Sequence, residues 1–425
     1  MSIQVSVSTL SVALATTVET ELRVCLDKPA RVIQPFDVGE LDVSLPYAFA
    51  RKHAQLPPEK SSYPRTAASF RGQLRPYQQV VKREVVDRLR KTGHALLALH
   101  VGWGKSVLAL YLACKLGLKT LIIVPKLVLA KQWVQLAESL CENARVQFVA
   151  SGKTVDNRAD ILVVNIATMV RRPASDWAGI GTVVADELHQ LCSAQNHVAL
   201  LRVTPFYLLG LSATPTRPDA LNALIPWFFG ESVLERSLHR EHRVYPVRTG
   251  IEIPQQYTFD GRVDWNGVLQ IQAEHDQRNG MIVTLLRHFP HRNFLVLVKR
   301  INQGVRLVSL LRAVGERVTD LLGNAKQFDQ SARILVATAQ KCGVGFSHDR
   351  LDALLLASDL EEYFIQYLGR VFRTPDVQPV VIDLVDTHGI LQKHFRTRKK
   401  VYQSVGGIVA RPQPLEQFLK IDLNK

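Results

Sequence analysis

The chain has 425 residues, 47% hydrophobic and 21% charged, and its 53 Lys and Arg against 38 Asp and Glu leave a formal net charge of +15. That length supports two or three domains, and the basic balance suits a polyanionic partner, although a solubility surface alone accounts for it too. No apolar stretch is long enough to span a bilayer, no basic n-region precedes the first apolar residues, and Cys25, Cys114, Cys141, Cys192 and Cys342 form no CxxC pair. A soluble, unexported protein of the cytoplasm or nucleus is therefore expected, without membrane contact, zinc ribbon or disulfide framework and with its thiols buried.

Residues 1–70 differ from the rest. Ile3, Val5 and Val7 alternate, as do Leu22, Val24 and Leu26, which predicts short strands in a small β-rich or mixed accessory module. The stretch Leu56-Pro57-Pro58-Glu59-Lys60-Ser61-Ser62-Tyr63-Pro64 has linker chemistry and sets the boundary.

From Leu74 onward apolar β-rich runs alternate with amphipathic helical stretches, the pattern of a parallel sheet covered by helices. Helices are expected over 80–90, 106–116 and 131–140, and strands over 95–99, 120–124, 161–164, 181–185 and 206–211. Residues 236–278 read as an irregular interlobe linker, rich in Gly and Pro. A second series follows, with helices over 279–288, 301–314 and 361–370 and strands over 294–298, 334–338, 353–357 and 380–384. The expected fold class is α/β with two tandem parallel-sheet lobes, at 71–235 and 279–405, and residues 406–425 trail off as a tail.

Four stretches carry chemistry. After the apolar strand Leu96-Leu97-Ala98-Leu99 comes His100-Val101-Gly102-Trp103-Gly104-Lys105-Ser106 and a helical pattern. Such a turn cradles phosphates on backbone N–H groups, with Gly102 and Gly104 allowing close approach, Lys105 reaching the terminal phosphates and Ser106 ligating Mg2+. Trp103 lies within this loop and reads as packing. Leu99 stands where the full phosphate-loop pattern has a glycine. The strand Thr182-Val183-Val184-Ala185 ends in Asp186-Glu187, an acid to hold the metal and an acid to polarise water. Ser212-Ala213-Thr214-Pro215-Thr216-Arg217 follows another apolar strand, and Arg370 and Arg373 share a helix face in Gln366-Tyr367-Leu368-Gly369-Arg370-Val371-Phe372-Arg373. Taken singly, each has a plainer reading: a strand-to-helix turn, a solvated acidic turn, a Ser/Thr/Pro loop, a basic helix face.

Together and in this order, the Leu-Arg-Pro-Tyr-Gln that ends at Gln78, GWGKS, DELH, SATPTR and QYLGRVFR resemble the motif series of superfamily 2 helicases and DNA translocases over residues 74–405. The DExH-type tetrad and SATPTR are closest in kind to the XPB-like helicases and to helicases of large DNA viruses and phages, including transcript-release helicases. The resemblance implies two RecA-like lobes and ATP with Mg2+ as cofactors. It implies that Gln78 and Arg75 sit at the adenine, that Asp186 and Glu187 are the Walker B acids, and that His189 faces Gln366. By the same resemblance, Ser212 and Thr214 couple nucleotide state to movement, and Arg370 and Arg373 form an arginine-finger pair. Nucleic-acid contacts fall on Lys126 and Gln132 (beside Trp133), on Thr168, and in the second lobe on Arg300, Thr338 and Lys341. Phe346 follows Gly343-Val344-Gly345 where relatives carry an acid, with Asp349 as a substitute.

The implied activity is ATP-dependent movement along, and separation of, DNA strands, single-stranded or forked. The same motifs also fit a duplex translocase that does not unwind, an RNA helicase, or an ATP-switched binding module. The basic run 393–400 extends a nucleic-acid track, directs localisation, or is a solvated helix face. Residues 1–70 are candidates for docking protein partners.

Overall fold

The computed structural model describes residues 1–27, 30–54, 60–100, 102–237, 239–325, 327–342, 348, 350–360, 364–371 and 377–423, with the backbone alone for 364–366. The chain divides into two compact units, Met1–Arg236 and Ser237–Lys425.

The first unit is built on a seven-stranded sheet, ordered Val146–Val149, Ile161–Asn165, Thr120–Val124, Thr182–Asp186, Tyr207–Ser212, His94–Leu99 and Val233–Arg236, with every pairing parallel. Side chains along each strand alternate between two cores: Ala95, Leu97 and Leu99 pack with Ile122 and Val184, whereas Leu96 packs with Leu121, Ile123 and Val183. A sheet buried on both faces needs apolar residues at consecutive positions, which explains the unbroken runs in the sequence. Pro76–Thr92, Lys105–Leu116 and Leu127–Leu140 are helices of this unit.

Residues 1–54 carry a three-stranded antiparallel sheet, a Val24–Asp27/Ala30–Ile33 hairpin and two helices, Val12–Glu21 and Tyr47–His53. The module does not stand apart. Met1, Ile3, Leu22, Leu45 and Tyr47 share one continuous core with Leu96, Leu121 and Phe228. Ser2 N–H donates to the Val203 carbonyl at 2.9 Å and Tyr47 Oη to that of Phe206 at 2.5 Å.

The second unit carries an eight-stranded sheet, with Val318–Leu321, Ile334–Thr338, Phe294–Val298, Ala353–Leu356, Val380–Thr387, His242–Glu252 and Gly407–Val409 in order and Gln413–Pro414 also on His242–Glu252. Two expectations are corrected here. The supposed linker 236–278 supplies the eleven-residue strand His242–Glu252 and the helix Trp265–Glu274. Its register shifts between Arg248 and Glu252, where Gly250 has φ +69°, so a bulge, and not a loop, accounts for the glycine. The supposed tail 406–425 adds two short strands, and Phe418 is fully buried against Tyr245 and Phe289. Segments of two to four residues are too short to show periodicity.

The basic run also resolves differently. It lies on the helix Gly389–Ser404, where Arg396, Lys399 and Lys400 are exposed but Arg398 is buried on Asp383 (2.8 Å) and Asp359 (2.5 Å). Cys25 is exposed, against the expectation of buried thiols, because it faces outward on a two-stranded hairpin. Among the described residues no helix is long and apolar enough to cross a membrane.

Candidate active site

The phosphate loop follows the strand His94–Leu99 directly. Gly102 and Gly104 have φ of +83° and +91°, in the left-handed region. A Cβ on Gly104 would also stand 2.4 Å from Gln78 Nε2, so glycine is required there on two counts. Leu99, in place of the expected glycine, is fully buried as the last residue of the strand; the strand occupies the position where other phosphate loops have begun to turn. Lys105 opens the helix and its Nζ donates to the carbonyls of Leu99 at 2.8 Å and His100 at 3.3 Å. The ammonium is thus held over the loop by neutral acceptors, which a phosphate oxygen outcompetes by charge. Ser106 is the second residue of the same helix, half-buried.

Gln78 and Arg75 lie against this loop. Gln78 is 3% exposed, accepts from the Arg75 N–H at 2.9 Å, and donates to the carbonyls of Trp103 at 3.3 Å and Gly104 at 3.4 Å. Its amide is therefore bonded to the phosphate loop as well as placed beside it. Tyr77 donates to the Trp103 carbonyl at 3.2 Å and meets the Trp103 ring edge-on at 5.3 Å. Trp103 is a packing residue, while the exposed Arg75 guanidinium donates to Tyr77 Oη at 3.1 Å.

Asp186 and Glu187 end the strand two places away in the sheet, with the Tyr207–Ser212 strand between them and the loop strand. Asp186 is 7% exposed and both its oxygens are held: Oδ2 accepts from Trp133 Nε1 at 2.8 Å and Oδ1 from the Glu187 N–H at 3.0 Å. Burial, then the charge of Glu187, pushes its carboxyl up to about 6, against the pull of Trp133 and Lys105. Two adjacent acids forced into low dielectric create a demand for a cation. Glu187 has φ +47° and ψ +48°, a left-handed conformation costing on the order of 1–3 kcal/mol for a residue with a side chain, and such strain gathers at working sites.

A hydrogen-bonded chain begins at His189, beside the acids. His189 Nδ1 lies 3.6 Å from Glu187 Oε2 and 3.0 Å from Ser212 Oγ, and Ser212 Oγ accepts from the Thr214 N–H at 3.0 Å. Burial and then Arg217 push the His189 imidazole down to about 4, so it is neutral at pH 7. Arg217 donates to the His189 carbonyl at 2.7 Å. The sequence motifs assign no role at the acids to Arg217 or Trp133. The signal for Trp133 was its place in the buried series Ala130, Trp133, Ala137, since a buried indole N–H needs an acceptor.

The remaining residues divide. Lys126 is the exposed N-cap of the helix Leu127–Leu140 and Gln132 is exposed on it; Thr168 is half-buried on Ile166–Met169, whose Asn165 donates to the Pro125 carbonyl at 3.0 Å. In the second unit Thr338 ends its strand at 8% exposure and Lys341 donates to the Ala325 carbonyl at 3.1 Å. Arg300 donates to the Asn266 side-chain oxygen at 3.0 Å. Arg370 is half-buried on the helix Phe364–Val371, which also carries Gln366. The side chain of Gln366, and Arg373, Gly343–Phe346 and Asp349, lie outside the described residues.

Residues 71–217 match the family described as "Type III restriction enzyme, res subunit". The chain is 36% identical over 408 residues to the protein named "Putative helicase 161L" of Invertebrate iridescent virus 6, covering 90% of this chain and 92% of that one. It is 34% identical over 348 residues to "Putative helicase 055L" of Frog virus 3, covering 80% of each. The chain belongs to the superfamily 2 helicases of large DNA viruses. It is an ATP-hydrolysing nucleic-acid helicase with two RecA-like lobes. This helicase shares its fold with S. cerevisiae Dbp5 bound to RNA and ADP BeF3, at a TM-score of 0.56 and 13% identity over 80% of this chain and 90% of that one. ATP fits the residues present, since left-handed glycines, a helix N-terminus and Lys105 face one loop beside a buried, cation-seeking acid pair.

Proposed function

We propose that this helicase acts on DNA, using ATP hydrolysis to move along one strand and displace the other. The observation that carries the reading is the convergence of the phosphate loop, Asp186-Glu187 and Ser212-Ala213-Thr214 at the C-terminal ends of three neighbouring parallel strands, the end at which open α/β sheets bind ligands. In this reading Lys105 and the loop N–H groups hold the β- and γ-phosphates, with Arg75 and Gln78 at the base. Ser106 and Asp186 hold Mg2+, which neutralises phosphate charge when bound. Glu187 accepts the proton of the attacking water. His189, Ser212 and Thr214 relay nucleotide state, and Gln366, Arg370 and Arg373 act on the γ-phosphate from the second unit. Lys126, Gln132, Thr168, Arg300, Thr338 and Lys341 hold strand phosphates without reading bases, which makes binding salt-sensitive and sequence-independent. Residues 1–70 offer a surface for protein partners.

The choice of DNA rests on the motif resemblance and on relatives encoded by DNA viruses. ATP turnover measured with single-stranded, duplex and forked DNA and with matched RNAs tests it. Stimulation by single-stranded or forked DNA well above that by RNA is expected; preferential stimulation by RNA would make it an RNA helicase, and turnover with duplex DNA without strand displacement a duplex translocase.

A further inference from the structure

Trp133 departs from its neighbours on the helix Leu127–Leu140. Gln132 beside it is exposed, whereas Trp133 is 3% exposed and ends on a carboxylate oxygen of Asp186, 2.8 Å away. The helix Leu127–Leu140 follows the strand Thr120–Val124, which pairs in parallel with Thr182–Asp186. The sheet therefore delivers the indole to the end of the adjacent strand. We propose that Trp133 is a positioning residue for the metal carboxylate: its N–H, with the Glu187 N–H on the other oxygen, fixes the Asp186 carboxylate in the rotamer that receives the Mg2+ of ATP. The inference rests on the reading of Asp186 as the metal acid.

Three features support more than packing. A buried indole N–H needs an acceptor, which a neutral carbonyl would satisfy; here it takes a carboxylate, and an N–H donated to a carboxylate is stronger than one donated to a neutral group. Both carboxylate oxygens are bonded, one to the Trp133 N–H at 2.8 Å and the other to the Glu187 N–H at 3.0 Å, so the two donors together hold the Asp186 carboxylate in one orientation. The same helix begins at Lys126, a residue proposed to hold a strand phosphate. Movement of this helix on strand binding would reach Asp186 through Trp133.

The test compares Trp133→Phe, which keeps the ring and removes the N–H, with Asp186→Asn and the double variant, in the full chain. Mn2+ affinity in the presence of ADP is read by electron paramagnetic resonance, which needs no turnover. Partners that orient a metal ligand typically contribute about 10- to 100-fold in affinity. Trp133→Phe is expected to weaken Mn2+ about tenfold in the unsubstituted background and to add nothing in the Asp186→Asn background. In hydrolysis it should raise the Mg2+ concentration for half-maximal rate more than it lowers kcat. An equal loss in both backgrounds would reduce Trp133 to packing and overturn the proposal. Unchanged Mn2+ affinity in Asp186→Asn would overturn the reading of Asp186 itself, and the proposal with it. Should Trp133→Phe fail to fold, the 15N-indole spectrum of the unsubstituted helicase decides. One indole N–H must shift both on adding Mg2+ with ADP and in Asp186→Asn, and the absence of such a resonance contradicts the assignment.

Discussion

Burial acts on Asp186 and His189 with opposite consequences. The Asp186 carboxyl is raised from 3.8 to about 6, so between those values the fold holds a proton that the unfolded chain does not, and acidification there favours the fold. The His189 imidazole is lowered from 6.5 to about 4, so the unfolded chain is protonated first and stability is lost as pH falls across that window. Replacing His189 by Gln should remove on the order of 2–3 kcal/mol of acid sensitivity between pH 7 and pH 4.5, whereas Asp186→Asn should increase it. Urea unfolding of the first unit at the two pH values checks both signs. At the phosphate loop, Gly104→Ala puts a Cβ 2.4 Å from Gln78 Nε2 at a φ of +91°. Nucleotide binding, followed by calorimetry with ADP, should fall roughly 100-fold or more, in line with about 3 kcal/mol of loop distortion.

At the scale of elements, legibility in the sequence followed burial. Strands buried on both faces, such as Thr120–Val124, appear as unbroken apolar runs and were read within a residue or two. The strand His242–Glu252 was missed because it carries His242, Arg243, Pro246 and Arg248 among its apolar residues. Pro246 is tolerated because it falls between the two short edge strands, which pair with residues 242–244 and 247–248, so composition alone misleads there. The phosphate loop, the acids and the Ser-Ala-Thr stretch were legible because each lies in a short contiguous motif. Trp133 and Arg217 were not, because their roles depend on residues 53 and 28 positions away. The helix Gly389–Ser404 shows the same limit, since its basic run conceals Arg398 between Asp359 and Asp383. Arg398→Ala removes the cation shared by two buried acids, leaving Asp359 only His394 and Asp383 only the Tyr402 hydroxyl among the side-chain contacts described, and should destabilise the second unit by about 3–5 kcal/mol in chemical denaturation, whereas Lys399→Ala, at an exposed position, should cost under about 0.5 kcal/mol.

For the molecule as a whole, the N-terminal residues are part of the first unit's construction. Met1, Ile3, Leu22, Leu45 and Tyr47 close one face of the parallel sheet, so a truncation that begins after residue 54 uncovers apolar surface that the remaining chain cannot bury. Such a truncation should aggregate or melt well below the full chain in a thermal scan, rather than yield an active helicase lacking only an appendage. The central claim is that hydrolysis at Lys105 and Asp186-Glu187 drives strand separation. Displacement of a labelled strand from forked DNA, with ATP turnover recorded in the same reaction for the unsubstituted chain and for Lys105→Ala, tests it most directly. The account predicts displacement that requires ATP, with turnover and displacement both reduced roughly 100-fold or more in Lys105→Ala. Full turnover in that variant, or turnover by the unsubstituted chain that displaces no strand from DNA or RNA forks, would contradict it.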